Sequence, residues 1–155
     1  MNIGDKIPEV LGIDQNGNQV KASDFAGKKL VIYFYPKDNT PGCTAEACSL
    51  SDGYLQLRKA GYEILGVSKD SQASHTKFAE KYSLPFPLIA DTDTTLNQAF
   101  GVWQQKKMAG RTYMGTVRTT FLVDEQGVVT HIISKVNTKD AANQILELIN
   151  ILTNK

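Results

Sequence analysis

The sequence predicts an α/β fold, a mixed central sheet with helices on both faces and a small added N-terminal hairpin. Three observations predict it. Lys29–Tyr35 is a continuous β-branched and aromatic run of the kind buried on both faces of a sheet. Strand-like and helix-like periodicities alternate after it, and the chain closes with a hairpin pattern followed by an amphipathic helix. At 155 residues the chain has the length of one domain and can bury a single sizeable core, so residues 1–155 are read as one unit.

In chain order, the first 28 residues, with Asp14-Gln15-Asn16-Gly17 as a turn, supply the small edge hairpin. The Lys29–Tyr35 strand ends at Pro36, and a polar loop follows, from Pro36 to Gly42. Ala47, Leu50, Tyr54 and Leu57 then recur at intervals of three and four before Gly61, which predicts one helix from about Cys43 to Ala60. Tyr62–Ser68 reads as a second strand and Ser71–Tyr82 as an exposed second helix with Ser71 as its N-cap. Pro87–Ala90 is a short third strand, Thr94–Phe100 a short helix, and Gly101–Gly115 an irregular stretch. Thr119–Val123 and Val128–Ile133, joined by Asp124-Glu125-Gln126-Gly127, form a hairpin. The last helix runs from about Asp140 to Leu152, with Ile145, Leu148, Ile149 and Leu152 on one face.

Composition excludes several function classes. Seventeen Lys+Arg against sixteen Asp+Glu leave a net charge of +1, and no segment gathers a basic stripe, which argues against a nucleic-acid partner. The longest apolar run, Leu30–Tyr35, is far short of the roughly 20 residues needed to span a bilayer. The start, Met1-Asn2-Ile3-Gly4-Asp5-Lys6, lacks a secretory signal pattern, so cytoplasmic residence is expected. In a reducing cytosol, two cysteines close in sequence point to catalysis, redox sensing or metal binding rather than to a structural crosslink.

The strand-loop-helix order places Cys43 just past the C-terminal end of a central strand and in the first turn of the next helix. Open α/β sheets put their sites there. A helix start offers unpaired N–H groups and positive potential, which favour a thiolate. Thr40-Pro41-Gly42 adds a hydroxyl, a stiffening proline and a glycine that admits a close approach to the backbone, so this turn can offer donors to a peroxide. A buried apolar cysteine after a Pro-Gly turn is the alternative. Cys48 lies five residues on, which in an intact helix is about 140° around the axis and about 7.5 Å along it. Disulfides need Cα atoms within roughly 6.8 Å, so joining the two sulfurs requires the first turn to unwind. Taken alone, Cys48 could equally be a helix-core thiol without a role.

The stretch from Phe34 to Cys48, reading FYPKDNTPGCTAEAC, resembles the active-site segment of peroxiredoxins of the bacterioferritin-comigratory or Q-type subfamily. Phe86–Asp91, Phe100–Trp103 and Arg118–Asp124 are similar to that subfamily in matching order, so the resemblance covers almost the whole chain. It implies an elaborated thioredoxin-like fold and a thiol peroxidase with Cys43 as the peroxidatic cysteine. Thr40 would be the hydroxyl that contacts the sulfur and the peroxide, with Pro36, Pro41 and Gly42 shaping the pocket. Arg118 matches the arginine placed beside the thiolate, and Cys48 the resolving cysteine of those relatives that carry one in the same helix. Without the family, Arg118 would read as a solvated surface cation. Glu46 and Trp103 also fit the pattern, yet a first-turn acid beside a helix dipole and a core aromatic explain them as well.

The implied cycle takes a hydroperoxide, passes through a Cys43 sulfenic acid and a Cys43–Cys48 disulfide, and returns by exchange with thioredoxin or a similar dithiol. It needs no metal and no organic cofactor, and with both sulfurs in one chain a monomer is the default. The chain lacks a second cysteine near its C-terminus and any Gly-Gly-Leu-Gly segment, so low sensitivity to over-oxidation is expected. A thioredoxin-like oxidoreductase shares the element order, but it would use a Cys-x-x-Cys pair where this chain has Thr40-Pro41-Gly42-Cys43. A zinc domain would need more ligands than two cysteines and two distant histidines. A cysteine hydrolase would need a histidine beside Cys43, and only His131 is left open for that part.

Overall fold

The computed structural model describes residues 1–153 in backbone and 1–151 in side chain. The expected place of Leu152 on the last helix face therefore lies outside the described residues. The chain forms β1 (Val10–Ile13), β2 (Gln19–Lys21), β3 (Lys29–Phe34), α1 (Pro41–Asp52), α2 (Tyr54–Lys59), β4 (Tyr62–Ser68), α3 (Gln72–Tyr82) and β5 (Leu88–Ala90). It continues with α4 (Thr95–Ala99), β6 (Trp103–Met108), β7 (Arg111–Thr116), β8 (Thr119–Val123), β9 (Val129–Ile133) and α5 (Ala141–Thr153). The central sheet has the order β5-β4-β3-β8-β9, with β3, β4 and β5 parallel and β8 and β9 antiparallel to their neighbours.

The β3 run is apolar throughout because both of its faces are covered. Val31, Tyr33 and Tyr35 point to one side and pack with Cys43 and Leu50 of α1, Phe78 of α3 and Ile145 of α5. Leu30, Ile32 and Phe34 point to the other side, against Leu11 and Val20 of the N-terminal hairpin, Leu96 of α4 and Phe100. Helices thus lie on both faces, as the sequence predicts. The β1–β2 hairpin forms its own two-stranded sheet. Its Gly12 lies so close to the edge strand β5 that a Cβ there would come within 2.6 Å of Ile89 Cγ2. Ser71 caps α3 by accepting from the Ser74 amide, as expected. Among the described residues no helix is long and apolar enough to cross a membrane.

Two segments differ from the sequence reading. The helix expected from Cys43 to Ala60 starts earlier, at Pro41, and is broken at Gly53 into α1 and α2. Proline suits the first helical position, where its missing N–H costs nothing. The break falls at a glycine that packing requires, because a Cβ on Gly53 would sit 2.4 Å from Ala142 Cβ on α5. The stretch expected to be irregular is instead the β6–β7 hairpin, turning at Ala109 and Gly110, both with positive φ. Most of its residues are open to solvent, so no apolar alternation marked it as strand.

Gly53→Ala is expected to lower stability by about 1–3 kcal/mol through overpacking against Ala142. Urea unfolding of the two proteins would measure it, and an unchanged midpoint would show that α5 yields freely.

Candidate active site

The antiparallel register of β3 and β8 pairs Phe34 with Thr119. The end of β3, which launches the loop into α1, therefore lies beside the start of β8, and Arg118 arrives at the α1 N-terminus from 75 residues away in sequence. Arg118 Nη2 donates to Cys43 Sγ at 3.2 Å and Nη1 donates to Glu46 Oε1 at 2.7 Å. Cys43 and Glu46 are each only 1 % exposed, while the Arg118 side chain keeps 22 % of its surface open. Gly42 completes the fit, since a Cβ there would come 3.3 Å from Arg118 Nη2. The guanidinium lies across Gly42 with one fork on the carboxylate and one on the sulfur.

Electrostatics follow from this burial. Desolvation pushes the Glu46 carboxyl from 4.5 up to about 7, against the pull of Arg118. Burial works against the Arg118 charge, but Glu46 and Cys43 outweigh it and hold the guanidinium above its ordinary range. Glu46 Oε2 and the Tyr33 hydroxyl are buried without a hydrogen-bond partner among the described residues. Burial, then the charges of Glu46, Asp38 and Cys43, keep that tyrosine in its neutral form.

Thr40 is the N-cap residue, extended at φ −95 and ψ 156, but its side chain makes no cap bond. The N–H groups of Gly42 and Cys43 lie in this uncapped first turn, where a helix has no internal acceptors for them. The Thr40 hydroxyl donates to the Lys37 carbonyl at 2.9 Å and makes no hydrogen bond to the sulfur. With its proton so used, it can meet a peroxide only as an acceptor. Pro36 is half-buried at the end of β3 and Pro41 is exposed at the first helical position.

Cys48 is half-buried on another side of α1, and both thiols are free. It borders a groove of about 520 Å³ between α1 and the segment entering α5, with Asp52 on one wall and Lys139 on the other. Burial, then Asp52, raises its pKa and keeps it a thiol. The structure thus brings Cys43, Arg118 and Gly42 together, places Thr40 at the N-cap and Pro41 at the first position of the same helix with Pro36 before them in the chain, and leaves Cys48 apart.

Three residues differ from the sequence reading. Glu46 does more than accompany a helix dipole, since it orients Arg118. Its signal was spacing, because Cys43, Glu46, Ala47 and Leu50 form the buried stripe of α1. His75, expected on an exposed helix, is fully buried, three and four residues before the buried Phe78 and Ala79. Trp103 is half-buried at the base of the β6–β7 hairpin, with Lys69 Nζ 5.6 Å from its ring centre, and lies outside the core.

The model of the AhpC/TSA family matches residues 3–132. The peroxiredoxin Bcp of Bacillus subtilis (strain 168) is 43 % identical over 155 residues, covering 100 % of this chain and 99 % of its own. The putative peroxiredoxin bcp of Coxiella burnetii is 46 % identical over 136 residues, 88 % of this chain and 90 % of its own. Among solved structures, a cysteine-to-serine mutant of Xylella fastidiosa PrxQ superposes with a TM-score of 0.90 at 32 % identity, covering 99 % of this chain and 98 % of its own. The bacterioferritin comigratory protein of Xanthomonas campestris superposes with a TM-score of 0.85 at 37 % identity, covering 95 % and 98 %. The chain belongs to the AhpC/TSA family and, within it, to the Bcp or Q-type peroxiredoxins, which are thiol peroxidases.

Proposed function

We propose that this peroxidase reduces hydroperoxides through Cys43 and resolves through Cys48. The observation that carries the assignment is the 3.2 Å contact between Arg118 Nη2 and a sulfur set in an uncapped helix start. The Cys43 thiolate attacks one peroxide oxygen, the O–O bond breaks, and the departing alkoxide or hydroxide takes a proton and leaves as alcohol or water. Arg118 and the first-turn N–H groups are donors for the charge that moves onto the departing oxygen. The Thr40 oxygen accepts from the peroxide O–H, while Pro36, Pro41 and Gly42 keep bulk from the sulfur. Glu46 holds the guanidinium in place.

The sulfenic acid then condenses with the Cys48 thiol, forming a disulfide and releasing water. An intact α1 holds the two sulfurs too far apart for this, so the first turns unwind before the bond forms. A dithiol protein such as thioredoxin reduces the disulfide by exchange, taking the oxidation onto its own pair of sulfurs. Both hydrogen peroxide and organic hydroperoxides carry the reacting bond, and the Xanthomonas relative is described by its alkyl peroxide reduction activity. The cycle needs no second subunit and no resident cofactor; the active unit is a single-domain monomer in the cytoplasm, where dithiol reductant is supplied.

Peroxide consumption coupled to thioredoxin, with intact-mass detection of a loss of two hydrogens, tests the cycle. Cys43→Ser is expected to abolish consumption, and Cys48→Ser to complete one turnover and then stall; sustained thioredoxin-driven turnover in Cys48→Ser would refute the resolving role. Arg118→Met is expected to slow Cys43 oxidation by about 100-fold or more, the range seen when one donor to a developing oxyanion is removed. A stopped-flow rate within a few-fold of native would remove Arg118 from the mechanism.

Glu46 also sets a pH dependence. Its folded pKa, about 7, lies above the ordinary 4.5, so between these values the folded state holds the extra proton and stability falls as pH rises through that window. Glu46→Gln is expected to remove that slope. Denaturation midpoints of the two proteins should therefore diverge from pH 5 to pH 8, and parallel curves would contradict a raised Glu46.

A further inference from the structure

A buried polar cluster beside the Cys43 loop has no part in the mechanism above. Asp38, five residues before Cys43, has a side chain only 4 % exposed, and His75 on α3 is fully buried. Asp38 Oδ1 accepts from the Tyr35 hydroxyl at 2.6 Å. Its Oδ2 accepts from the Ser74 hydroxyl at 2.8 Å and lies 2.7 Å from His75 Nδ1. The Asp38 amide donates to Asp70 Oδ2 at 2.8 Å, and that oxygen also takes the Ser68 hydroxyl at 2.6 Å. On its far side, His75 Nε2 stands 2.9 Å from the Ile89 carbonyl oxygen.

Hydrogen-bond bookkeeping fixes the protons. A carbonyl oxygen can only accept, so Nε2 carries a hydrogen. The short Nδ1–Asp38 contact must hold one more, shared between the ring nitrogen and a carboxyl group that already takes two hydroxyl donors. Together the pair is neutral, which is what a buried site tolerates. Asp38, Asp70 and His75 place ligating atoms within 4.8 Å of one another. Each of those side chains already has hydrogen-bond partners, so the cluster is complete without a cation.

Its location gives it a purpose. Asp38 lies between the end of β3 and the Thr40–Cys43 turn. The next residue, Asn39, has a positive φ of 61 and is held by Lys81 Nζ at 3.3 Å and the Tyr82 hydroxyl at 3.2 Å. Consecutive loop residues, one in a backbone region that side chains seldom adopt, are thus fastened to α3. Lys37, whose carbonyl takes the Thr40 hydroxyl proton, directly precedes them.

We propose that Asp38 and His75 are positioning residues for peroxide reduction: the buried pair ties the loop before Cys43 to α3 and β5, so that Thr40 and the first turn of α1 face the sulfur in the reactive arrangement. The pair also gives α1 a fixed end to unwind from. At its other end α1 is tied to α5 by the Ala142 amide, which donates to Ser49 Oγ at 3.2 Å. This inference rests on Cys43 being the reacting sulfur.

The test uses full-length protein with Cys48→Ser, so that one sulfur reports, and compares two reactions of Cys43: oxidation by hydrogen peroxide and alkylation by iodoacetamide. Alkylation needs an accessible thiolate but no peroxide pocket. His75→Leu and Asp38→Ala are expected to slow oxidation at least about tenfold, as small misplacements of reacting groups do, while alkylation stays within about threefold. Asp38→Asn should recover most of the Asp38→Ala loss, because its carboxamide can accept from Tyr35 and donate to the Nδ1 of a neutral imidazole. If the larger changes prevent folding, Tyr35→Phe and Ser74→Ala each delete one donor to Asp38, and a loss of about threefold in oxidation alone is expected. Oxidation at the native rate in the folded variants, a parallel fall in both reactions, or an Asp38→Asn defect as deep as that of Asp38→Ala would overturn the proposal. A parent protein that is not oxidised at Cys43 would instead overturn the assignment of that sulfur, a result distinct from a fast parent with fast variants.

Discussion

The pairing of Phe34 with Thr119 is the constraint on which the site depends. Parallel strands β3, β4 and β5 can place a loop and a helix N-terminus at their carboxyl ends, but they bring no side chain in from the opposite direction. An antiparallel neighbour does. Because β8 begins where β3 ends, the residue before β8 enters the same space as the turn after β3. The two strands bury their side chains on both faces, so a one-residue slip would turn each apolar residue to the wrong cluster. Core packing in this way fixes the position of Arg118 relative to Cys43.

Around that frame the site is costly by construction. A carboxylate and a guanidinium are taken largely out of water, and the burial that raises Glu46 shows that the ion pair does not fully repay its desolvation. The return is geometric: with one fork on Glu46, the guanidinium has little freedom left in how it presents the other fork to the sulfur. The same economy applies to the uncapped N-terminus of α1, since a cap at Thr40 would stabilise the helix and occupy the N–H groups that the proposed chemistry uses.

The proposed cycle asks opposing things of α1. Folded, it sets Cys43 at its first turn against Arg118; unwound, it lets Cys43 reach Cys48. A helix with no side-chain cap at one end and a break at Gly53 after twelve residues suits both demands, because packing and a few side-chain ties, to Arg118 and to α5, hold it closed rather than its own ends. The chain on either side of the part that unwinds is held, with Asp38 anchored before the helix and Ser49 tied to α5 near its far end.

Much of this was legible in the amino-acid order. The Lys29–Phe34 strand, the turn at Thr40-Pro41-Gly42, and the position of Cys43 at a helix start follow from local preferences, since β-branched runs, prolines and three-and-four spacing act within a few residues. The resemblance, through the segment around Cys43 and the Arg118–Asp124 stretch, pointed to Thr40, Cys48 and Arg118. The close packing at Gly53 was hidden because Ala142 lies 89 positions away, and the β6–β7 hairpin was hidden because solvent on both faces erases the periodicity that marks a strand. Glu46, read as a first-turn acid beside a helix dipole, and His75, expected on an exposed helix, both turned out buried, because their polar side chains hid the stripes they share with Ala47 and Leu50 and with Phe78 and Ala79. Neighbours along the chain were enough to mark the central strands, the main helices and the place of Cys43 at a helix start, because those follow from local preferences. Only the tertiary structure decided that Arg118, Glu46, Asp38 and His75 would be drawn in around that sulfur and its loop, because strand register and helix packing join residues that the chain keeps far apart.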